Sequence, residues 1–200
     1  FPATGANSVS VAEYVIAAAL VGARNIWQAN PAVLAGKWPR NDMMFHEIAG
    51  RRLGLIGFGG IGRAVATRAR AMEMDVCGYD PALKSGDPIW AQYGTSPVDL
   101  DTLFSTSDIV SLHVPLTPST RNLIDAKALA RMKPTAFLIN TARGGIIDEA
   151  ALAEAVKSGH LAGAAVDVFS EEPPPAGHPL IGVPGIVATP HLGASTVEAQ

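Results

Sequence analysis

Leu53-Gly54-Leu55-Ile56-Gly57-Phe58-Gly59-Gly60-Ile61-Gly62 is the stretch whose reading decides the fold. An apolar run of strand composition enters a glycine-rich turn, and the residues from Ile61 to Met72 have helical composition. The turn matches GxGxxG, but a chain with 20 glycines can produce that spacing by chance, so its surroundings decide. A strand precedes it, a helix follows it, and Asp80 stands 18 residues beyond Gly62 at the end of the next apolar run. Gly57 permits a tight turn, Gly59 lets backbone approach a pyrophosphate, and Gly62 allows close packing of helix on strand. Gly60 and Ile61 open a helix whose positive N-terminus attracts an anion. Asp80 can accept from a ribose 2′-hydroxyl. Its charge penalises a 2′-phosphate, since two unit charges about 4 Å apart interact by roughly 4 kcal/mol at an intermediate dielectric. The reading is a dinucleotide site that takes NAD in preference to NADP.

Outward from this turn, short apolar runs alternate with helical segments. Leu53 to Gly57, Val76 to Tyr79, Ile109 to Val114, Ala136 to Asn140, Ala164 to Val168 and Ile186 to Ala188 predict six strands. Helices are predicted near 61–72, 99–105, 125–131 and 148–158, with Asp or Ser at several starts. The alternation predicts an α/β chain, a Rossmann-type doubly wound parallel sheet covered on both faces. Upstream, Ala-rich Val9 to Leu34 reads as one long helix standing apart from the sheet, with Ser10 as N-cap and Glu13 completing a capping box. Gly36-Lys37-Trp38-Pro39-Arg40 punctuates the chain, and 41–52 is read as a crossing loop.

Composition narrows the classes of partner. A net charge of -3 with 15 scattered Lys and Arg offers no footprint for nucleic acid. Apolar stretches are interrupted well before the roughly 20 residues that span a bilayer, so no membrane partner is expected. Cys77 is the single cysteine, read as a buried filler, which fits a reducing, cytoplasmic setting. Phe1-Pro2-Ala3-Thr4-Gly5 reads as an internal point of a longer polypeptide.

Three further segments carry a resemblance: Asn140-Thr141-Ala142-Arg143-Gly144-Gly145, Asp167-Val168-Phe169-Ser170-Glu171-Glu172-Pro173 and Thr189-Pro190-His191-Leu192-Gly193. With the glycine loop they resemble the D-isomer-specific 2-hydroxyacid dehydrogenases, most nearly the D-3-phosphoglycerate dehydrogenase branch. The resemblance implies that Arg143 holds the substrate's carboxylate and carbonyl oxygen, that His191 is the general acid/base and that Glu172 pairs with it. It also implies that Asp167 orients the nicotinamide carboxamide, that Thr141 lies on the cofactor side, and that His113-Val114-Pro115 lines the adenosine side of the cleft. These residue types suit the chemistry. Oxidising a secondary alcohol requires a base for the hydroxyl proton, and imidazole ordinarily titrates near working pH. A guanidinium fork matches an anionic 2-oxo acid. No metal site is expected, because the histidines and Cys77 show no ligand spacing, and no GxSxG turn supports a serine nucleophile. His46, His160 and His178 are read as structural.

The resemblance further implies an interdomain and dimerisation helix with its crossing loop over 1–52, an NAD-binding domain over 53–191, and the start of a helix returning to a second, absent substrate lobe over 192–200. On that reading these 200 residues alone bind NAD but turn over poorly or not at all. A homodimer is expected through the N-terminal arm; alternatively, Trp27 and Trp38 cover the chain's own core. The expected substrate is a 3-phosphoglycerate-like 2-hydroxy/2-oxo acid. The alternatives are glyoxylate, hydroxypyruvate, sulfolactate or a bulkier 2-oxo acid, or a non-enzymatic, NAD-sensing co-repressor.

Overall fold

The structure, a computed structural model, describes residue 5 and residues 7–199, the side chains of 26–28 excepted. Seven parallel strands form one sheet: β1 (Arg52–Ile56), β2 (Asp75–Tyr79), β3 (Ser96–Pro97), β4 (Ile109–Leu112), β5 (Phe137–Asn140), β6 (Gly163–Val166) and β7 (Ile186–Ala188). Their order is β3-β2-β1-β4-β5-β6-β7. The chain therefore winds one way from β1 to β3 and the other way from β4 to β7. The reversal opens a crevice at the carboxyl ends of β1 and β4, where such sheets take ligands.

Alternation along the strands splits the core into two faces. Leu53, Leu55, Ile109, Ile139 and Ala165 meet Val15, Ala19, Val65, Ala66 and Trp90 of α1 (Ser8–Arg24), α3 (Gly60–Ala71) and α4 (Pro88–Gln92). Ile56, Val110, Leu112, Leu138 and Val166 meet Leu103, Leu129 and Leu152 of α5 (Leu100–Thr106), α6 (Ala126–Arg131) and α7 (Glu149–Lys157). Both faces are covered, as a parallel sheet requires. Asp99, Asp125 and Asp148 cap α5, α6 and α7, each carboxylate accepting from a backbone N–H three residues on.

Four expectations need correction. The long helix is two, α1 and α2 (Ile26–Leu34), because Asn25 adopts a left-handed conformation (φ 45°) and its N–H closes on Val21 O. Asparagine is among the few residues that enter this region readily. Helix α1 begins at an Asn7 cap. Ser10 lies inside it, its hydroxyl bonded to Thr196 Oγ1 at 2.8 Å. Nor does α1 stand apart, for Ala12, Val15 and Ala19 are fully buried against α3 and β5. The seventh strand is β3, two residues on the sheet edge, where Pro97 needs no ladder donor.

Cys77 is buried with Sγ 3.7 Å from Ser107 Oγ, and burial pushes its thiol pKa up, which fits a filler. Trp38 is 79% exposed and covers no core of its own; the reading of Trp27 lies outside the described residues. No described helix is long and apolar enough to cross a membrane.

Candidate active site

The glycine loop joins β1 to α3. Gly57 has φ +96°, and a Cβ there would stand 2.4 Å from the backbone oxygen of His113, so only glycine fits where the two halves of the sheet diverge. A Cβ on Gly62 would lie 2.4 Å from Gly57 O, while one on Gly59 would meet nothing within 4 Å. The loop is thus packed from behind by Gly57 and Gly62 and open in front at Gly59. No side chain caps α3, whose first N–H groups face the same opening. Asp80 Oδ2 accepts from Phe58 N at 2.8 Å and Oδ1 from Ala82 N at 2.9 Å, tying the end of β2 to the loop. Each oxygen keeps lone-pair capacity for a sugar hydroxyl.

The crevice beside the loop is walled by Ile61, His113, Pro115, Thr141, Arg143, Asp167 and His191, each from the turn after a strand or the start of a helix. His113 Nε2 and Thr141 Oγ1 are buried there without a partner among the described residues. Burial pushes the His113 pKa down to about 4, so its ring is neutral near pH 7. A loop open at Gly59, an uncapped helix start, spare acceptors on Asp80 and two orphaned polar atoms together fit a dinucleotide.

At the far end, His191 Nδ1 lies 2.8 Å from Glu172 Oε2, leaving Nε2 as the free nitrogen. Glu172 Oε1 also accepts from Phe169 N at 3.0 Å. The bond to His191, then that from Phe169 N, hold the Glu172 carboxyl below the usual carboxylate range. His191 itself sits at φ +58°, left-handed backbone that residues other than glycine adopt uncommonly and that its surroundings must hold. Asp167 does so. Its carboxylate is 1% exposed and accepts from Thr189 Oγ1 at 2.6 Å, Leu192 N at 2.7 Å and Gly193 N at 2.7 Å, while its carbonyl takes His191 N at 2.9 Å. Three of about four acceptor positions on this carboxylate are thereby filled by its own chain.

Arg143 projects from the turn after β5, where Asn140 folds the backbone by donating to Arg143 O and accepting from Ala142 N, both at 3.0 Å. Its guanidinium donates to Ala142 O and forms no ion pair with an acidic side chain among the described residues. A cation without an acidic partner among the described residues and an imidazole bonded to a carboxylate therefore line one crevice. The arrangement can bind an anion and move a proton beside it.

The sequence reading gave no part in this geometry to three residues that build it, Tyr14, Glu149 and His178. Tyr14 from α1 hydrogen-bonds Thr189 and so touches the Asp167 anchor from outside. Glu149 and His178, 29 residues apart, form a part-buried pair that holds the Glu172 loop. His160 has Nε2 3.1 Å from Leu129 O, a structural place as expected.

The family described as D-isomer specific 2-hydroxyacid dehydrogenase, NAD binding domain, matches residues 16–193. The chain is 51% identical over 199 residues to the (S)-sulfolactate dehydrogenase of Chromohalobacter salexigens, covering 100% of this chain and 64% of that protein. It is 46% identical over 198 residues to the D-3-phosphoglycerate dehydrogenase of Archaeoglobus fulgidus, covering 99% of this chain and 37% of that one. The NAD-dependent formate dehydrogenase of Staphylococcus aureus in complex with NAD superposes with a TM-score of 0.90 at 38% identity, over 98% of this chain and 58% of that one. The chain thus spans under two thirds of each relative. With the glycine loop, the uncapped α3 start and the Asp80 acceptor now located, the chain belongs to the D-isomer specific 2-hydroxyacid dehydrogenase family and is its NAD-binding domain.

Proposed function

We propose that the protein of which this chain is a part interconverts a D-2-hydroxy acid and its 2-oxo acid, with a substrate that carries a second anionic group, as 3-phosphoglycerate does. One observation carries this reading: His191, bonded to Glu172 at 2.8 Å, and Arg143, which has no acidic partner among the described residues, line the same crevice. Arg143 holds the substrate carboxylate through its free N–H groups. His191 Nε2 takes the hydroxyl proton during oxidation, and Glu172 stabilises the imidazolium that forms. In reduction the same proton returns to the carbonyl oxygen. NAD, when bound, would supply the acceptor for the hydride that leaves C2 of the hydroxy acid. Asp80 favours a free 2′-hydroxyl and disfavours a 2′-phosphate. The one remaining acceptor position of Asp167 is available to orient the nicotinamide carboxamide. The second-anion specificity rests on relatives named for sulfolactate and 3-phosphoglycerate, both 2-hydroxy acids with an anion at the third carbon.

A two-fold dimer accompanies this reading. Val33, Leu34, Trp38, Met44 and Phe45 on α2 and the following loop are 42–85% exposed, an apolar surface that the described residues leave uncovered. Sedimentation of a monomer at high concentration would remove the dimer.

The test follows NADH absorbance with the full-length polypeptide, offered 3-phosphohydroxypyruvate, 3-sulfopyruvate, hydroxypyruvate, glyoxylate and pyruvate. One dianionic acid is reduced fastest, and His191→Gln lowers kcat by about 10²- to 10⁴-fold while NAD still binds. NADH binding without reduction of any acid sinks the dehydrogenase reading.

A further inference from the structure

Glu172 can serve His191 only if the loop that carries it is held, and nothing in the catalytic pair does so. The hold comes from beneath. Glu149, in the first turn of α7, accepts from Ser170 N through Oε1 at 2.8 Å and from Ser170 Oγ through Oε2 at 2.6 Å. His178 Nε2 lies 3.0 Å from the same Oε2, with side chains 5% and 12% exposed for His178 and Glu149. Leu180 N donates to His178 Nδ1, so Nε2 carries the proton and donates to Glu149. The imidazole also stands edge-on to Phe169, ring centroids 5.4 Å apart. Phe169 and Ser170 are thus pinned, and Phe169 N is the group that fixes Glu172 Oε1.

A carboxylate only 12% exposed and ringed by three donors is a costly arrangement unless it holds something in place. We propose that Glu149, with Ser170 and His178, is a positioning cluster for the Glu172–His191 pair. This rests on the dehydrogenase reading above for its consequence in catalysis, although the geometry stands without it. Replacing Glu149 by Gln leaves an amide N–H against His178 Nε2–H or Ser170 N–H in either orientation. The loop then loosens and Glu172 loses Phe169 N. The groups facing Glu172 are His191, Phe169 N and the charge of Arg143, and only the second depends on Glu149.

In the full-length protein, Glu149→Gln is expected to lower kcat by about 10- to 100-fold, the scale of a small misplacement of a catalytic group, with the Kd for NAD within about twofold. A fold defect would move both. The carboxyl carbon of Glu172, followed by ¹³C NMR in labelled protein and assigned with Glu172→Gln, titrates at higher pH in Glu149→Gln than in wild type. His178→Gln, which keeps an amide N–H near the Nε2 position, retains most activity, and His178→Leu does not. Ser170→Ala, which removes one hydroxyl from the loop, gives a smaller loss and guards against a Glu149 variant that does not fold. A folded, NAD-binding Glu149→Gln with wild-type kcat, or with an unmoved Glu172 titration, overturns the proposal. If wild type reduces no 2-oxo acid, the dehydrogenase reading fails alone, and the Glu172 titration still decides the positioning role.

Discussion

Asp167→Asn changes one buried atom type and tests what holds His191. The wild-type carboxylate takes three donors: Thr189 Oγ1 and Leu192 N on Oδ1, and Gly193 N on Oδ2. An asparagine has one acceptor oxygen. If that oxygen faces Leu192, the amide N–H₂ confronts Gly193 N–H; if it is flipped, it confronts Leu192 N–H. Thr189 can rotate its hydroxyl to accept, but the backbone donors cannot. Either way one buried N–H is left without an acceptor, which costs about 1–3 kcal/mol, and the remaining bonds lose their charge assistance. The sum is a destabilisation of about 3 kcal/mol. A domain of this size shifts by roughly 2–4 °C per kcal/mol, so Tm falls by about 6–12 °C. Urea unfolding should show a lower midpoint with an unchanged slope, since the surface exposed on unfolding is the same. Releasing the turn also frees His191 from its φ of +58°, so kcat falls as well. A stability within about 0.5 kcal/mol of wild type, the range of a neutral surface change, would refute the idea that this carboxylate anchors the turn.

Other substitutions separate packing from ligand contact. Gly59→Ala, whose Cβ meets nothing within 4 Å of protein, keeps its Tm and weakens NAD at least tenfold by titration, whereas Gly62→Ala, 2.4 Å from Gly57 O, lowers both; equal effects on the two readouts in both variants count against the cradle. Asp80→Asn narrows the preference for NAD over NADP by about tenfold or more in paired kcat/KM measurements, and an unchanged ratio rules out charge as the discriminator. His113 binds its proton at about 4 in the folded chain against 6.5 when unfolded. Its contribution to stability is therefore complete above pH 6.5 and is lost as pH falls through 4, by about 3 kcal/mol at about 1.36 kcal/mol per tenfold change. His113→Gln flattens that segment of the stability profile measured from pH 7 to 4, and a profile as steep as wild type would show that another group titrates there.

What could be read in the sequence was local. Gly57, Gly59 and Gly62 are contiguous with a strand and a helix, and Asp99, Asp125 and Asp148 lie three residues from the N–H groups they cap. The break at Asn25 was hidden because Ala-rich composition continues on both sides and a single left-handed residue leaves no period. Strand β3 is too short to show alternation. The packing of α1 on α3 joins faces more than forty residues apart, and the bonds of Tyr14 to Thr189 and Glu149 to His178 cross 175 and 29 residues. No spacing rule reaches such pairs. The resemblance carried by the segments around them nominated His191 and Glu172, but what holds each of them lies elsewhere in the chain.

The parallel sheet explains why site and support coincide. Successive strands β1, β4, β5, β6 and β7 deliver Gly57, His113, Thr141 with Arg143, Asp167 and Thr189 with His191 to one edge. Strands fix where each turn begins and leave its path free, so the turns must fasten to one another. They do so by close approach, as a Cβ on Gly144 would lie 1.8 Å from Phe169 O, and by bonds such as those that Asp167 and Glu149 accept. Substitutions along this rim therefore move stability and catalysis together. Glycine 59 is the informative exception, because its front is protein-free and its backbone is already held by Gly57 and Gly62. The same logic predicts that the cofactor, by filling the crevice and pairing His113 and Thr141, stabilises the rim it binds, so NAD should raise Tm in proportion to the logarithm of its concentration over Kd.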